Sequence, residues 1–211
     1  MVVHFRYLAA VHIRLLVVMV VIFVLTLKPL LSKSQSFQLK YKVSQGSNDI
    51  GWLTIERQTI GNRLTLVLLS EIKTRFVFMI HVITKEYSTF ENGKLQNSSV
   101  YRKANGTIKV DKQISFNRGL YEVSEDGEKS VLPITYIGKN LLSLYFQEPI
   151  GISQVYCDKH ECFIALTKTG DGAYKLQFPD GSSNCYYYQS GICTKVKVSH
   201  NFYSANLILI P

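Results

Sequence analysis

Four cysteines, Cys157, Cys162, Cys185 and Cys193, all fall in the last third of a 211-residue chain. Two chemistries suit thiols so grouped: disulfides, or a tetrathiolate zinc site with His160 close by. Asp158-Lys159-His160-Glu161 separates the first pair, and Ser190-Gly191 lies inside the second, so each pair brackets a turn and can close locally. An even count of cysteines in an exported chain reads as a disulfide framework. The expected pairing, one of three possible, is Cys157–Cys162 with Cys185–Cys193. Zinc is the rival, but neither pair shows the short ligand spacing at both ends that marks a zinc knuckle. Free thiols are the third option.

Other reactive residues are scattered. His4 and His12 lie near the N-terminus, while His81, His160 and His200 are far apart in sequence. The chain has no Gly-x-Ser-x-Gly, no His-Glu-x-x-His and no phosphate-cradling glycine loop. His81 alternates with apolar neighbours, which suggests a core or cavity-lining position. Glu71, Glu86 and Glu148 are candidate pocket acids without a partner at a diagnostic spacing. The expectation is therefore a protein that is not an enzyme, with no catalytic residue, metal or cofactor. Asn97-Ser98-Ser99 and Asn105-Gly106-Thr107 match the N-glycosylation triplet, although a turn explains Asn105 better. Trp52 and Tyr186-Tyr187-Tyr188 either form a binding surface or pack as ordinary strand residues.

The elements that must position these residues are mostly strands. Phe37, Leu39, Tyr41 and Val43 alternate with polar residues, as do Leu64, Leu66 and Leu68. Ile108, Val110, Ile114 and Phe116 share one face, and Lys112 falls among them. Asn92-Gly93 and Asn105-Gly106 are hairpin signals. Turns recur every eight to fifteen residues or so, which argues an antiparallel meander of ten to twelve strands. Strand–helix–strand alternation is missing, so a doubly wound nucleotide-binding fold is excluded. One segment, Ile137 to Pro149, reads as a short helix. It is apolar nearly all round and therefore buried, and it is stopped by Pro149. The run Phe76 to Ile80 is apolar on both faces and reads as a central strand. The fold class expected is mainly β, a meander curled into a half-barrel or barrel around one short buried helix. Phe76, Phe78, Ile80, Leu141, Leu144 and Tyr145 would line its apolar interior.

Residues 1–34 have a positive front (Arg6, Arg14), an apolar run from Leu15 to Leu27, and small residues at Ser32 and Ser34. This is the layout of a secretory signal peptide, with an uncleaved anchor as the alternative. Residues 35–211 then form a single exported domain. The formal net charge of +9 includes four basic residues of the leader, and the other basic residues are spread along strands. No clustered patch indicates nucleic acid. Membrane contact is expected only through the N-terminal segment, if it stays uncleaved.

GWLTIER, SEIKTRF, STFENGKL, LLSLYFQEP, the Cys-x4-Cys segment and FPDGSSNCYYY occur together. With these motifs the chain, from Tyr41 to Pro211, resembles an uncharacterised family of exported Bacteroidota proteins known only as a domain of unknown function. The resemblance implies a Gram-negative periplasmic setting, in which glycosylation at Asn97 or Asn105 is not expected. It carries no activity and no functional residue. The strand-rich body also resembles, more loosely, another uncharacterised exported β-rich family and, by architectural analogy, the half-barrel of lipoprotein carriers. The functional expectation is a non-catalytic periplasmic or envelope protein holding a lipid-like or other apolar ligand inside the curved sheet. The alternative is a structural or protein-interaction module of the envelope, with an envelope protein as its partner and no ligand.

Overall fold

The computed structural model describes residues 34–75, 79–200 and 203–211; residues 1–33 of the expected leader, and Phe76 and Phe78, lie outside them. Alternation of apolar and polar side chains produces strand after strand. The first eight are β1 (Gln35–Gln45), β2 (Asn48–Ile60), β3 (Arg63–Arg75), β4 (Met79–Glu91), β5 (Lys94–Ala104), β6 (Thr107–Asn117), β7 (Leu120–Glu125) and β8 (Glu128–Leu132). The second run is β9 (Gln154–Cys157), β10 (Cys162–Lys168), β11 (Tyr174–Gln177), β12 (Ser183–Gln189), β13 (Ile192–His200) and β14 (Tyr203–Ile210). At Asn92-Gly93 and Asn105-Gly106 both residues have positive φ, as the tightest hairpin turns require.

All fourteen strands join one antiparallel sheet in the order β8-β7-β6-β5-β4-β3-β2-β1-β14-β13-β12-β11-β10-β9. Two meanders are thus zipped together where the first strand meets the last, with Tyr41 opposite Leu209 and Val43 opposite Leu207. The terminal strands β8 and β9 do not pair, so the sheet is curled but not closed, and the closed-barrel form of the expectation is corrected. Short edges of five and four residues limit the exposed backbone there.

At Gly51 the sheet depends on glycine: φ is +156°, and a Cβ there would lie 2.0 Å from the Glu71 carbonyl oxygen of β3. Of the expected central strand from Phe76 to Ile80, residues 76–78 lie outside the described residues; Met79, 60% exposed, and Ile80 open β4 and pair with Arg75 and Thr74 of β3.

The expected helix over 137–149 is not formed, and no α-helix occurs among the described residues. Leu141–Tyr145 makes one 3-10 turn instead, with Leu142, Leu144 and Tyr145 buried. Competition for its backbone groups explains why. The Leu144 carbonyl, which an α-helix would offer to the amide of residue 148, accepts the Tyr188 hydroxyl at 2.8 Å. The Glu148 amide donates to Gly191 O at 3.0 Å. Aromatic rings hold the turn from below, with Tyr145 packed edge-on against Tyr41 and Tyr186.

The link from β8 to this turn runs from one sheet edge to the other across the interior. Ile137 anchors it: the Leu95 amide donates to Ile137 O at 2.8 Å, and the Ile137 amide donates to Tyr121 Oη at 3.2 Å. The Tyr121 hydroxyl in turn donates to Leu95 O at 3.0 Å. Tyr121→Phe strands a buried amide and is expected to lower stability by about 2 kcal/mol. A control at the exposed Tyr87, Tyr87→Phe, should stay within about 0.5 kcal/mol. Urea unfolding of both variants checks this, and equal midpoints would show that Ile137 is held by something else.

Candidate functional site

The inward faces of β1 to β6 and β12 to β14, with the 3-10 turn between them, line a partly open cavity of about 430 Å³. Its walls combine aliphatic residues, among them Leu53, Leu68, Ile72, Val82, Val198 and Leu207, with polar and charged ones. Pockets that hold small ligands span roughly 300–1,000 Å³ with this kind of lining. Among the expected lining residues, Ile80, Leu141 and Tyr145 are in place. Leu144 is buried in the core but does not reach the cavity. Phe76 and Phe78 lie outside the described residues.

Two charged side chains project into this wall from neighbouring strands. Glu86 on β4 stands opposite Val100, and Arg102 on β5 stands opposite Thr84, so the two are diagonal neighbours on the inner face. Burial pushes the Glu86 carboxyl up to about 7, against the pull of Arg102 and with a smaller push from Asp158. The Arg102 Nε is buried without a hydrogen-bond partner.

The β9–β10 turn forms another part of the boundary and is clasped to the opposite meander. Asp158, fully inside, accepts from Ser98 Oγ on β5 at 2.5 Å and from Asn140 Nδ2 at 3.1 Å. Asn140 also donates to Ser88 Oγ on β4 at 2.7 Å. Burial raises the Asp158 pKa, and these hydrogen bonds oppose the rise. Lys112 of β6, only 4% exposed, reaches Glu161 at 2.5 Å, Glu125 at 3.1 Å and the Lys159 carbonyl at 3.2 Å.

His160 and Asp180 also face the cavity, 3.5 Å apart. Burial lowers the His160 pKa, the Lys159 charge lowers it further, and Asp180 opposes both. Asp180 is committed elsewhere: Lys159 Nζ sits 2.8 Å from the same oxygen, and Ser182 Oγ donates to the other at 2.5 Å. The aspartate therefore lies between the serine and the histidine, and the imidazole does not adjoin the hydroxyl, unlike a nucleophilic triad.

The remaining candidates are dispersed. His81 is not in the cavity; it sits on the outer face with its side chain 40% exposed and bonds Glu71 at 2.8 Å. Glu148 takes the Tyr174 hydroxyl at 2.9 Å. Asn105 accepts the His81 amide at 2.7 Å and serves its turn. The tyrosine triplet divides: Tyr186 points inward, Tyr188 holds the 3-10 turn, and Tyr187 sits under Lys195. Trp52 is exposed on the outer face beside Lys42.

All four cysteines are free thiols. Cys157 and Cys162 stand opposite each other across the β9–β10 hairpin. The expected Cys185–Cys193 bridge is corrected, because Cys185 faces Lys197 and Cys193 faces Tyr188. At roughly 3.3 Å per residue this offset puts the two well beyond disulfide reach. Burial pushes the Cys157 thiol up to about 11 and the Cys193 thiol up to about 12. Among the described residues no three His, Cys, Asp or Glu side chains gather as a metal site. Sequence reasoning singled out Glu86 but missed Arg102 and Asp158. The signal for Arg102 was its parity with Val100 on β5.

A family model described as a domain of unknown function, DUF6134, matches residues 41–210. The chain belongs to this family. No curated protein matches the sequence. Among solved structures, the DUF6134 fold is similar to a crystal structure of a beta-barrel-like protein of another domain of unknown function, DUF1849, from Brucella abortus. That match has a TM-score of 0.55 at 10% identity and covers 82% of this chain and 94% of that one. At such identity the likeness concerns the fold alone.

In this DUF6134 domain Glu86 binds a proton that the unfolded chain, with its carboxyl near 4.5, has already released at pH 6. A raised carboxyl pKa gives stability that is complete below about 4.5 and is lost as pH climbs to about 7. Wild type should therefore lose about 2 kcal/mol relative to Glu86→Gln between pH 5 and pH 8. Urea unfolding across that range measures it, and parallel curves would show that Glu86 is solvated.

Proposed function

We propose that this domain is a non-catalytic envelope protein that holds an apolar, lipid-like ligand inside its curved sheet. The observation that carries the reading is the partly open cavity of about 430 Å³, with aliphatic residues on its wall, between the sheet and the 3-10 turn. The serine–aspartate–histidine order beside it is not that of a nucleophilic triad, because the imidazole does not reach the hydroxyl. The interaction-module alternative needs an exposed aromatic patch. At Tyr186–Tyr188 the triplet is split between the interior and the surface, and near Trp52 lysines interleave the exposed Ile208 and Ile210.

The reading places the domain outside the cytoplasm, delivered by the N-terminal segment, which is either cut or kept as an anchor. In an oxidising compartment Cys157 and Cys162, directly opposed, would close a disulfide across the β9–β10 hairpin. Peptide mapping of exported protein without reductant should yield that cross-link and a separately alkylated Cys185. A Cys185–Cys193 cross-link, or none, would reject the assignment.

Ligand occupancy is tested by native mass spectrometry and lipid extraction of the purified domain, and by uptake of the fluorescent probe N-phenyl-1-naphthylamine. Val82→Trp fills the cavity from β4 and is expected to abolish uptake while the far-ultraviolet spectrum is unchanged. Wild-type protein that neither retains an acyl species nor takes up the probe would end the carrier reading.

A further inference from the structure

Charged groups on the cavity wall are mostly paired, Asp158 with Ser98 and Asn140 and Asp180 with Lys159, but Arg102 on the inner face is not. Its Nε is buried and unpartnered, and no carboxylate lies within ion-pair distance of it among the described residues. Leaving a buried charged donor unmet is costly, so such groups in native proteins ordinarily have partners. The internal counter-ion is weak: Glu86 acts on Arg102 from a diagonal position without a hydrogen bond, and burial favours its neutral form. The wall around the pair is Val82, Val100 and Val110, which would hold a hydrocarbon chain.

We infer that the cavity takes a fatty-acid-like amphiphile, with Arg102 binding the carboxylate head and the aliphatic wall burying the chain. The guanidinium fork matches a carboxylate in shape and charge. Neutral Glu86 is a hydrogen-bond donor and can meet a carboxylate oxygen beside Arg102. Asp158 on the same boundary disfavours a dianionic phosphate head. The inference rests on the cavity being a ligand site at all, and it adds the chemistry of the head group.

Dodecanoate, dodecanol and dodecyl phosphate, each displacing N-phenyl-1-naphthylamine from the full domain, separate the two ideas. Dodecanoate is expected to bind about tenfold or more tighter than dodecanol, and Arg102→Gln is expected to erase that difference. The far-ultraviolet spectrum and urea midpoint of the variant check that it is folded. The titratable and charged groups facing Glu86 are Arg102, Asp158, Tyr145 and Tyr186. Because Glu86 loses its proton near 7, dodecanoate affinity should fall between pH 6 and pH 8.5, and Glu86→Gln should flatten that fall. Equal binding of dodecanoate and dodecanol overturns the head-group inference and leaves the cavity reading standing. Preference for dodecyl phosphate overturns the carboxylate assignment. No displacement by any of the three overturns the cavity reading itself.

Discussion

A buried carboxylate holds the curl together. The hydrogen-bonded ladder runs through fourteen strands and stops at β8 and β9, which never meet. Side chains take over where the ladder ends. Asp158, on the turn beside the edge strand β9, accepts from Ser98 in the other meander and from Asn140 on the crossing link. Lys112 ties the same turn to β6 through Glu161 and the Lys159 carbonyl. A carboxyl group out of water is costly unless its oxygens are met, and two donors converge on this one. Closure by a clasp needs no matched strand register, so the sheet stays open in topology while its edge turn is fixed against the far meander.

That form of closure sets the shape of the interior. A sheet of this length curls, and its inner face encloses more volume than small side chains fill. Near the 3-10 turn the space is taken by large rings: Tyr41, Tyr145, Tyr186 and Tyr188, with the Tyr41 hydroxyl donating to Cys193 O at 2.6 Å. On β3 to β6 the inward positions are short, including Ser70, Thr84, Val82, Val100 and Val110, and there the cavity remains. Rings on one side and short side chains on the other make a packed end and an open end from one continuous sheet.

Much of this architecture was legible from period and punctuation. Alternation in β1, β3 and β6 placed Leu39, Leu66 and Ile114 inward, and they are buried. Asn92-Gly93 and Asn105-Gly106 turn as expected. Lys112 stood among apolar residues in the pattern, and it is buried in the clasp. The failures were non-local. Whether Leu141 to Phe146 winds as an α-helix depends on Tyr188 and Gly191, some forty-five residues away, which take the bonds a longer helix needs. Met79 and Ile80 looked like part of a central strand, yet they open β4 opposite Arg75 and Thr74, because hydrophobicity does not reveal where a strand begins. Cys185 and Cys193 looked close because spacing ignores where the hairpin turns: the Ser190-Gly191 turn sets Cys193 opposite Tyr188, and the shift between Tyr187 and Tyr188 moves Cys185 one residue further, opposite Lys197.

The site was the least legible part, for a physical reason. Arg102 sits in a strand whose outward neighbours are also polar, so only its parity with Val100 marks it as inward. Asp158 reads as an ordinary turn residue until the clasp buries it. Both owe their character to strands distant in sequence, and both bear on Glu86, one lowering and one raising its pKa. The clasp and the cavity therefore share an electrostatic neighbourhood: the carboxylate that fixes the edge turn also helps keep Glu86 neutral. Beside Glu86 the Arg102 Nε stays unmet, on a wall that also carries Asp158, His160 and Asp180. Packing of apolar side chains alone does not call for that donor, which is why it carries the proposal of a ligand head group.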